Sequence, residues 1–345
     1  MSKKQVLAAD DSLPKKKQDL IPVFLIPVVA LLALPLYSYM GAGSTADWAT
    51  ATIAGIGMGL IIFLVASGFS LVFGLMDVLN FGHGIFVTLG AYFGVTFLAP
   101  MSEWYNDPDS IVLNLLAMAI AAGLGMLVTA VIGIIFERII VRPVYGAHLT
   151  QILVTSGGMI VAGELCIVFW GPDTLPMLPP PGLTGAFSIG DIAMEKFRLM
   201  TLIVGIILFL IMTLLLNRTK LGLLIRAGVQ DREMVEALGY KVKFLFIGVF
   251  AAGAALASLG GTFYGIFVNG ANTSLGPAMM INIFIVIIIA GMGSVGGALI
   301  GAILVGITSN FAGSLFPNMA AFSSIFLMCV IILWRPQGLY PVAKR

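Results

Sequence analysis

Asp77, Asn80 and His83 fall in one short stretch, Gly74-Leu75-Met76-Asp77-Val78-Leu79-Asn80-Phe81-Gly82-His83-Gly84, at the end of an apolar run where none of them can face lipid cheaply. Two readings of this break stand side by side. It lines a pathway for a polar solute, or Asn80 and His83 tie down the orphan backbone groups where one helix stops and the next begins. Glu164, in Val161-Ala162-Gly163-Glu164-Leu165, is the carboxylate that lies well inside a predicted span. Such a group is by default a proton relay or a polar lining group, the alternatives being a hydrogen bond to a neighbouring helix or a place close to the outer interface. We find no second buried acid and no buried Lys or Arg beside it, which gives proton coupling little support. A second break, Gly291 to Gly297, concentrates Gly291, Gly293, Gly296 and Gly297 around Ser294. Non-helical backbone at membrane depth survives only when buried in protein or lining a wet cavity.

The motifs of soluble catalysis do not occur. The chain has 2 His, no HExxH, no GxSxG, no P-loop, and no GxGxxG ahead of a soluble helix. The expectation is that it is not an enzyme, binds no cofactor of its own, and draws on an ion gradient or another subunit for uphill work. Cys166 and Cys329 lie in apolar segments and read as small hydrophobic filler. Neither a disulfide framework nor a metal site is expected.

These residues have to be positioned by membrane helices. Of 345 residues, 59% are hydrophobic and 10% charged, against about a quarter charged in soluble domains. The expected fold is all-α, a polytopic membrane protein of about ten spanning or half-spanning helices. We place them at Ile21 to Tyr39, Ala51 to Leu75, Gly82 to Leu98, Ile111 to Phe136, Gln151 to Trp170, Leu199 to Leu216, Phe244 to Val268, Met279 to Ala290, Ala298 to Phe311 and Met319 to Trp334. Met279 to Ala290 is too short to cross alone. With ten crossings, of the 18 Lys and Arg only Lys196 and Arg198 fall outside, so both termini are predicted to be cytoplasmic. The basic residues form no single stripe, which gives no reason to expect a nucleic-acid partner.

Residues 1–20 read as a retained cytoplasmic tail, 21–340 as one transmembrane domain, and 341–345 as a second tail. Within the domain, 171–198 forms a proline-rich outer loop and 217–243 an inner charged loop. In the inner loop, Gly228 to Gly239 can form a short helix closed by Gly239, with Met234, Ala237 and Leu238 near one face and charged residues over much of the rest. That pattern suits docking in a partner's groove, and equally a solvated linker helix. Segments two to five and seven to ten carry a faint duplication, which would make two inverted repeats. Gly297 with Gly301, and the Gly253 to Gly261 region, read as close-packing surfaces.

Val78-Leu79-Asn80-Phe81-Gly82-His83-Gly84 with Leu89-Gly90-Ala91-Tyr92 resembles a signature of the inner-membrane permeases of branched-chain amino acid ABC transporters. Arg226-Ala227-Gly228 through Ala237-Leu238-Gly239 resembles their coupling segment, Ala290 to Ala298 their glycine break, and Trp334-Arg335-Pro336-Gln337-Gly338-Leu339 their ending. The chain departs from the pattern in its charged N-terminal tail, in Gly82 where Ala is usual, and in its longer outer loop. The resemblance implies a bacterial inner-membrane permease with a second, identical or paralogous permease as partner, fed by a periplasmic binding protein. It also implies two cytoplasmic ATPase subunits that hydrolyse the ATP. Coupling to them would fall on Gln230, Asp231, Arg232, Met234, Val235, Leu238 and Gly239. The implied solutes are branched-chain or other amino acids, urea and short amides, or small organic acids. An ion-coupled carrier and a facilitative channel are the alternatives.

Overall fold

The computed structural model describes residues 21–39, 44–230, 232–291 and 293–340. Among the described residues the regular structure is helical apart from four short strands. In order come α1 (Ile21–Tyr39), α2 (Thr45–Met76), α3 (His83–Leu98), α4 (Ser102–Tyr105) and α5 (Ile111–Phe136), then α6 (His148–Trp170), β1 (Leu175–Pro176), β2 (Ala186–Ile189) and β3 (Ile192–Glu195). The second half holds α7 (Lys196–Arg218), α8 (Lys220–Gln230), α9 (Arg232–Ala237), α10 (Val242–Phe267), β4 (Gly270–Ala271), α11 (Leu275–Ala290), α12 (Val295–Leu315) and α13 (Ala320–Trp334). Among the described residues, seven helices are long and apolar enough to cross a membrane, and three apolar helices are shorter.

Several helices begin before their apolar runs do. α2 starts at Thr45 because Ser44 and Asp47 form a capping box: the Asp47 N–H donates to Ser44 Oγ, and the Asp47 carboxylate accepts from the Ser44 N–H at 2.7 Å. α11 starts at Leu275 rather than Met279, so its 16 residues rise about 24 Å instead of the 18 Å implied by the apolar run.

α2 lies at the centre, antiparallel to α10 and α12. A Cβ at Gly59 would stand 2.6 Å from the Ile303 Cα, and one at Gly260 2.6 Å from the Val65 nitrogen. Gly68 and Gly253 meet backbone to backbone, as do Gly261 and Val87 where α10 crosses α3. Hydrogen bonds cross these seams at Thr88, Thr129, Ser258 and Thr262. Thr262 Oγ1 donates to the Gly90 carbonyl at 2.8 Å, Thr129 bonds Ser258 at 3.1 Å, and Thr88 accepts from the Gly276 N–H at 3.0 Å.

At one end of the bundle the outer-loop residues 171–198 fold as a cap with more structure than the prolines alone suggest. β1 pairs antiparallel with β4, and β2 with β3 as a hairpin. Asn114, buried at the head of α5, organises this end. Its Nδ2 donates to the carbonyls of Trp104, Tyr105 and Asp107, and its Oδ1 accepts from the Gly182 N–H at 3.1 Å.

Gly261→Val would drive a side chain into the Val87 backbone, whereas a Cβ at Gly123 meets nothing within 4 Å. Gly261→Val should abolish the monodisperse peak in fluorescence-detected size-exclusion chromatography, overpacking costing roughly 1–3 kcal/mol or more. Gly123→Ala should leave that peak unchanged.

Candidate functional site

Three of the segments singled out in the sequence meet at the other end of the bundle. α2 ends where Asp77 takes a left-handed conformation (φ 51°), its N–H donating to the Phe73 carbonyl at 3.0 Å and its side chain exposed. Just before it, Gly74 touches Gly293 of the second break. Gly291 and Gly293 both have φ of 84°, a conformation that strains any residue with a Cβ, and Ser294 caps α12 by accepting from the Gly297 N–H at 3.0 Å. The second break is therefore a tight turn joining two antiparallel helices at the end of the bundle. Gly297 packs on the Ala290 carbonyl, while a Cβ at Gly296 would meet nothing. The chain's last segment folds back on this turn. Leu339 and Tyr340 donate to the carbonyls of Ile289 and Ala290, both at 2.8 Å, Leu339 is buried, and Gly338 (φ 80°) abuts Gly291.

The first break is held in a way the sequence does not announce. Its Leu79 N–H donates to Gln151 Oε1 at 3.3 Å and its Phe81 N–H to Thr155 Oγ1 at 3.0 Å. Both acceptors come from the inner face of α6. Asn80 and His83 are fully buried, and their side chains make no hydrogen bond among the described residues. The expectation that they cap orphan backbone groups is therefore corrected: Gln151 and Thr155 do so. His83 instead sits edge-on to Phe69 and Phe86. Phe81 packs on Phe284 at 4.4 Å and closes the aromatic wall.

The buried acid is not the one expected from the sequence. Glu164 is exposed on the outward face of α6, with no ion pair or hydrogen bond among the described residues. Glu137 is the buried one, accepting from the Tyr145 hydroxyl at 2.5 Å. It was missed because the apolar run ends at Phe136. The helix continues through a π-turn, Glu137–Val141, that rolls the carboxylate inward.

The inner loop forms α8 and α9. Asp231 lies outside the described residues, and of Gln230 and Arg232 only the backbone is described. α9 ends in a Schellman motif: the Tyr240 N–H donates to the Val235 carbonyl and the Gly239 N–H to that of Glu236, with Gly239 at φ 88°. Met234 and Leu238 are 61% and 68% exposed, whereas Val235 is 3% exposed and seats the helix on the body. The outward edge thus consists of Met234, Ala237 and Leu238, and Val235 does not share it.

The profile of the family described as branched-chain amino acid transport system, permease component, matches residues 51–334, most of the chain and both breaks. The chain belongs to this family. The permease is 29% identical over 299 residues to the high-affinity branched-chain amino acid transport system permease protein BraD of Pseudomonas aeruginosa, covering 83% of this chain and 94% of the relative. It is 24% identical to the corresponding permease protein LivH of Escherichia coli (82% and 94% covered) and 24% identical to LivM of the same organism (92% and 75% covered). No solved structure matches. It is accordingly a multi-pass inner-membrane protein, the permease subunit of an ABC importer.

Gln151→Leu would leave the Leu79 N–H without its acceptor. A buried unsatisfied donor costs about 1–3 kcal/mol, so the thermal midpoint of the purified permease should fall, and Thr155→Val should lower it comparably.

Proposed function

We propose that this permease imports a branched-chain amino acid, with both termini cytoplasmic, driven by ATP that two separate cytoplasmic ATPase subunits hydrolyse. The observation that carries the reading is α9. It is an ordered cytoplasmic helix presenting Met234, Ala237 and Leu238 outward while Val235 anchors it, the arrangement needed to sit in a partner's groove and pass on its movement. A channel or an ion-coupled carrier has no use for such an edge. The chain itself binds no cofactor and catalyses no reaction in this reading. Among the solutes compatible with the sequence, the names of the relatives favour branched-chain amino acids over urea, amides or organic acids.

The permease partner is a paralogue. LivH and LivM are two distinct permease proteins of one organism, and this chain is similar to both. The cap built around Asn114 and the β2–β3 hairpin faces the periplasm and receives the binding protein. The ion-coupled alternative would place its site at Glu164 or Asp77. Asp77 lies exposed at the end of the bundle, away from the middle of any span.

Met234→Asp and Leu238→Asp should each abolish uptake and copurification of the ATPase while membrane insertion is unchanged. Uptake at the normal rate would refute coupling through α9.

A further inference from the structure

We infer that Glu164 lines an aqueous path between this permease and its partner permease, and that its carboxylate receives the ammonium group of the amino acid in transit. This rests on the importer reading above. Six residues separate Glu164 from Trp170 at the end of α6, which places it about 9 Å down the helix. Trp170 holds this end of α6 against α3: its ring stacks on Tyr92 at 4.9 Å and its Nε1 donates to Thr96 at 2.8 Å.

An ionisable group exposed at that level is unfavourable in lipid. The other outward-facing helices show what a lipid surface looks like here. On α5 the polar Asn114 and Thr129 both turn inward, and its exposed side chains are apolar, among them Leu116, Leu127 and Ile135. The exposed side chains in the middle of α7 are likewise apolar. α6 breaks that rule, since one stripe carries Leu149, Leu153, Gly157, Val161, Glu164 and Val168. A Cβ at Gly157 would meet nothing within 4 Å, which leaves the stripe a shallow notch where another subunit can come close.

The occupant that reconciles a carboxylate with that stripe is the second permease, meeting α6 across a wet seam. The carboxylate lacks a cation among the described residues. An amino acid passing through supplies one. The inner face of the same helix holds the Asn80 break through Gln151 and Thr155, so a load on the Glu164 face reaches the break through a single rigid element.

The test uses the assembled transporter in proteoliposomes, carrying Val161→Cys and Cys329→Ser, with buried Cys166 retained. A trimethylammonium methanethiosulfonate should modify the new thiol about tenfold faster than the sulfonate reagent. Leucine should slow that modification, and Glu164→Gln should erase the preference. In the transporter without these cysteine changes, Glu164→Gln should lower leucine uptake about tenfold, as expected for a lost charge-assisted contact. Glu164→Asp should keep most uptake, and stimulation of the ATPase by the binding protein should persist in both. Failure of both charged reagents to reach position 161, or a reagent ratio indifferent to Glu164→Gln, overturns the wet seam. Modification that leucine does not slow, with uptake lost, assigns Glu164 to a cation of the partner and overturns the ammonium role. A wild-type complex that imports no amino acid refutes the importer reading instead, and the reagent ratio tells the two failures apart.

Discussion

The architecture depends on backbone approaching backbone along α2. Inside a bilayer the hydrophobic effect no longer draws helices together, since lipid is as apolar as leucine, and association rests on van der Waals contact and interhelical hydrogen bonds. Contact of that quality needs side chains out of the way. Gly59 against α12 and Gly68 against Gly253 of α10 provide it, and the crossing of α10 over α3 at Gly261 adds the next helix. The buried hydroxyls of Thr88, Thr129, Ser258 and Thr262 pair inside these seams, so close approach and polar satisfaction reinforce each other.

From that centre outward the two ends differ in construction. One is a cap of strands and turns gathered by Asn114. The other is a junction in which the end of α2, the α11–α12 turn and the final segment lock together through Gly74, Gly293, Gly291 and Gly338. α6 is joined to the centre along one side only. It holds the first break with its inner face and shows Glu164 on its outer face.

The ten apolar helices were legible because lipid imposes length and composition on every span. Helix starts were less so, because capping turns such as Ser44 with Asp47 are polar and lie outside an apolar window. The close-packing glycines of α10 could be read from their spacing. The meeting of the Gly291 turn with Leu339 could not, since it joins residues far apart in sequence through backbone hydrogen bonds that carry no side-chain signature. The same holds for the first break: Asn80 and His83 are the polar residues within it, yet Gln151 and Thr155 hold it from another helix. Glu137 is buried because a π-turn changes which way the end of α5 faces, and helical periodicity cannot foresee that.

α9 shows what its cap and anchor achieve for recognition. A helix of six residues does not persist alone in water, because the first turn costs more conformational freedom than one hydrogen bond returns. The Gly239 turn and buried Val235 have already met that cost within this chain, and the Val242 N–H bonded to the Tyr240 carbonyl carries the constraint straight into α10. A protein that binds the Met234 edge therefore meets an ordered surface and loses little entropy on contact, which leaves more of the contact energy free to do mechanical work.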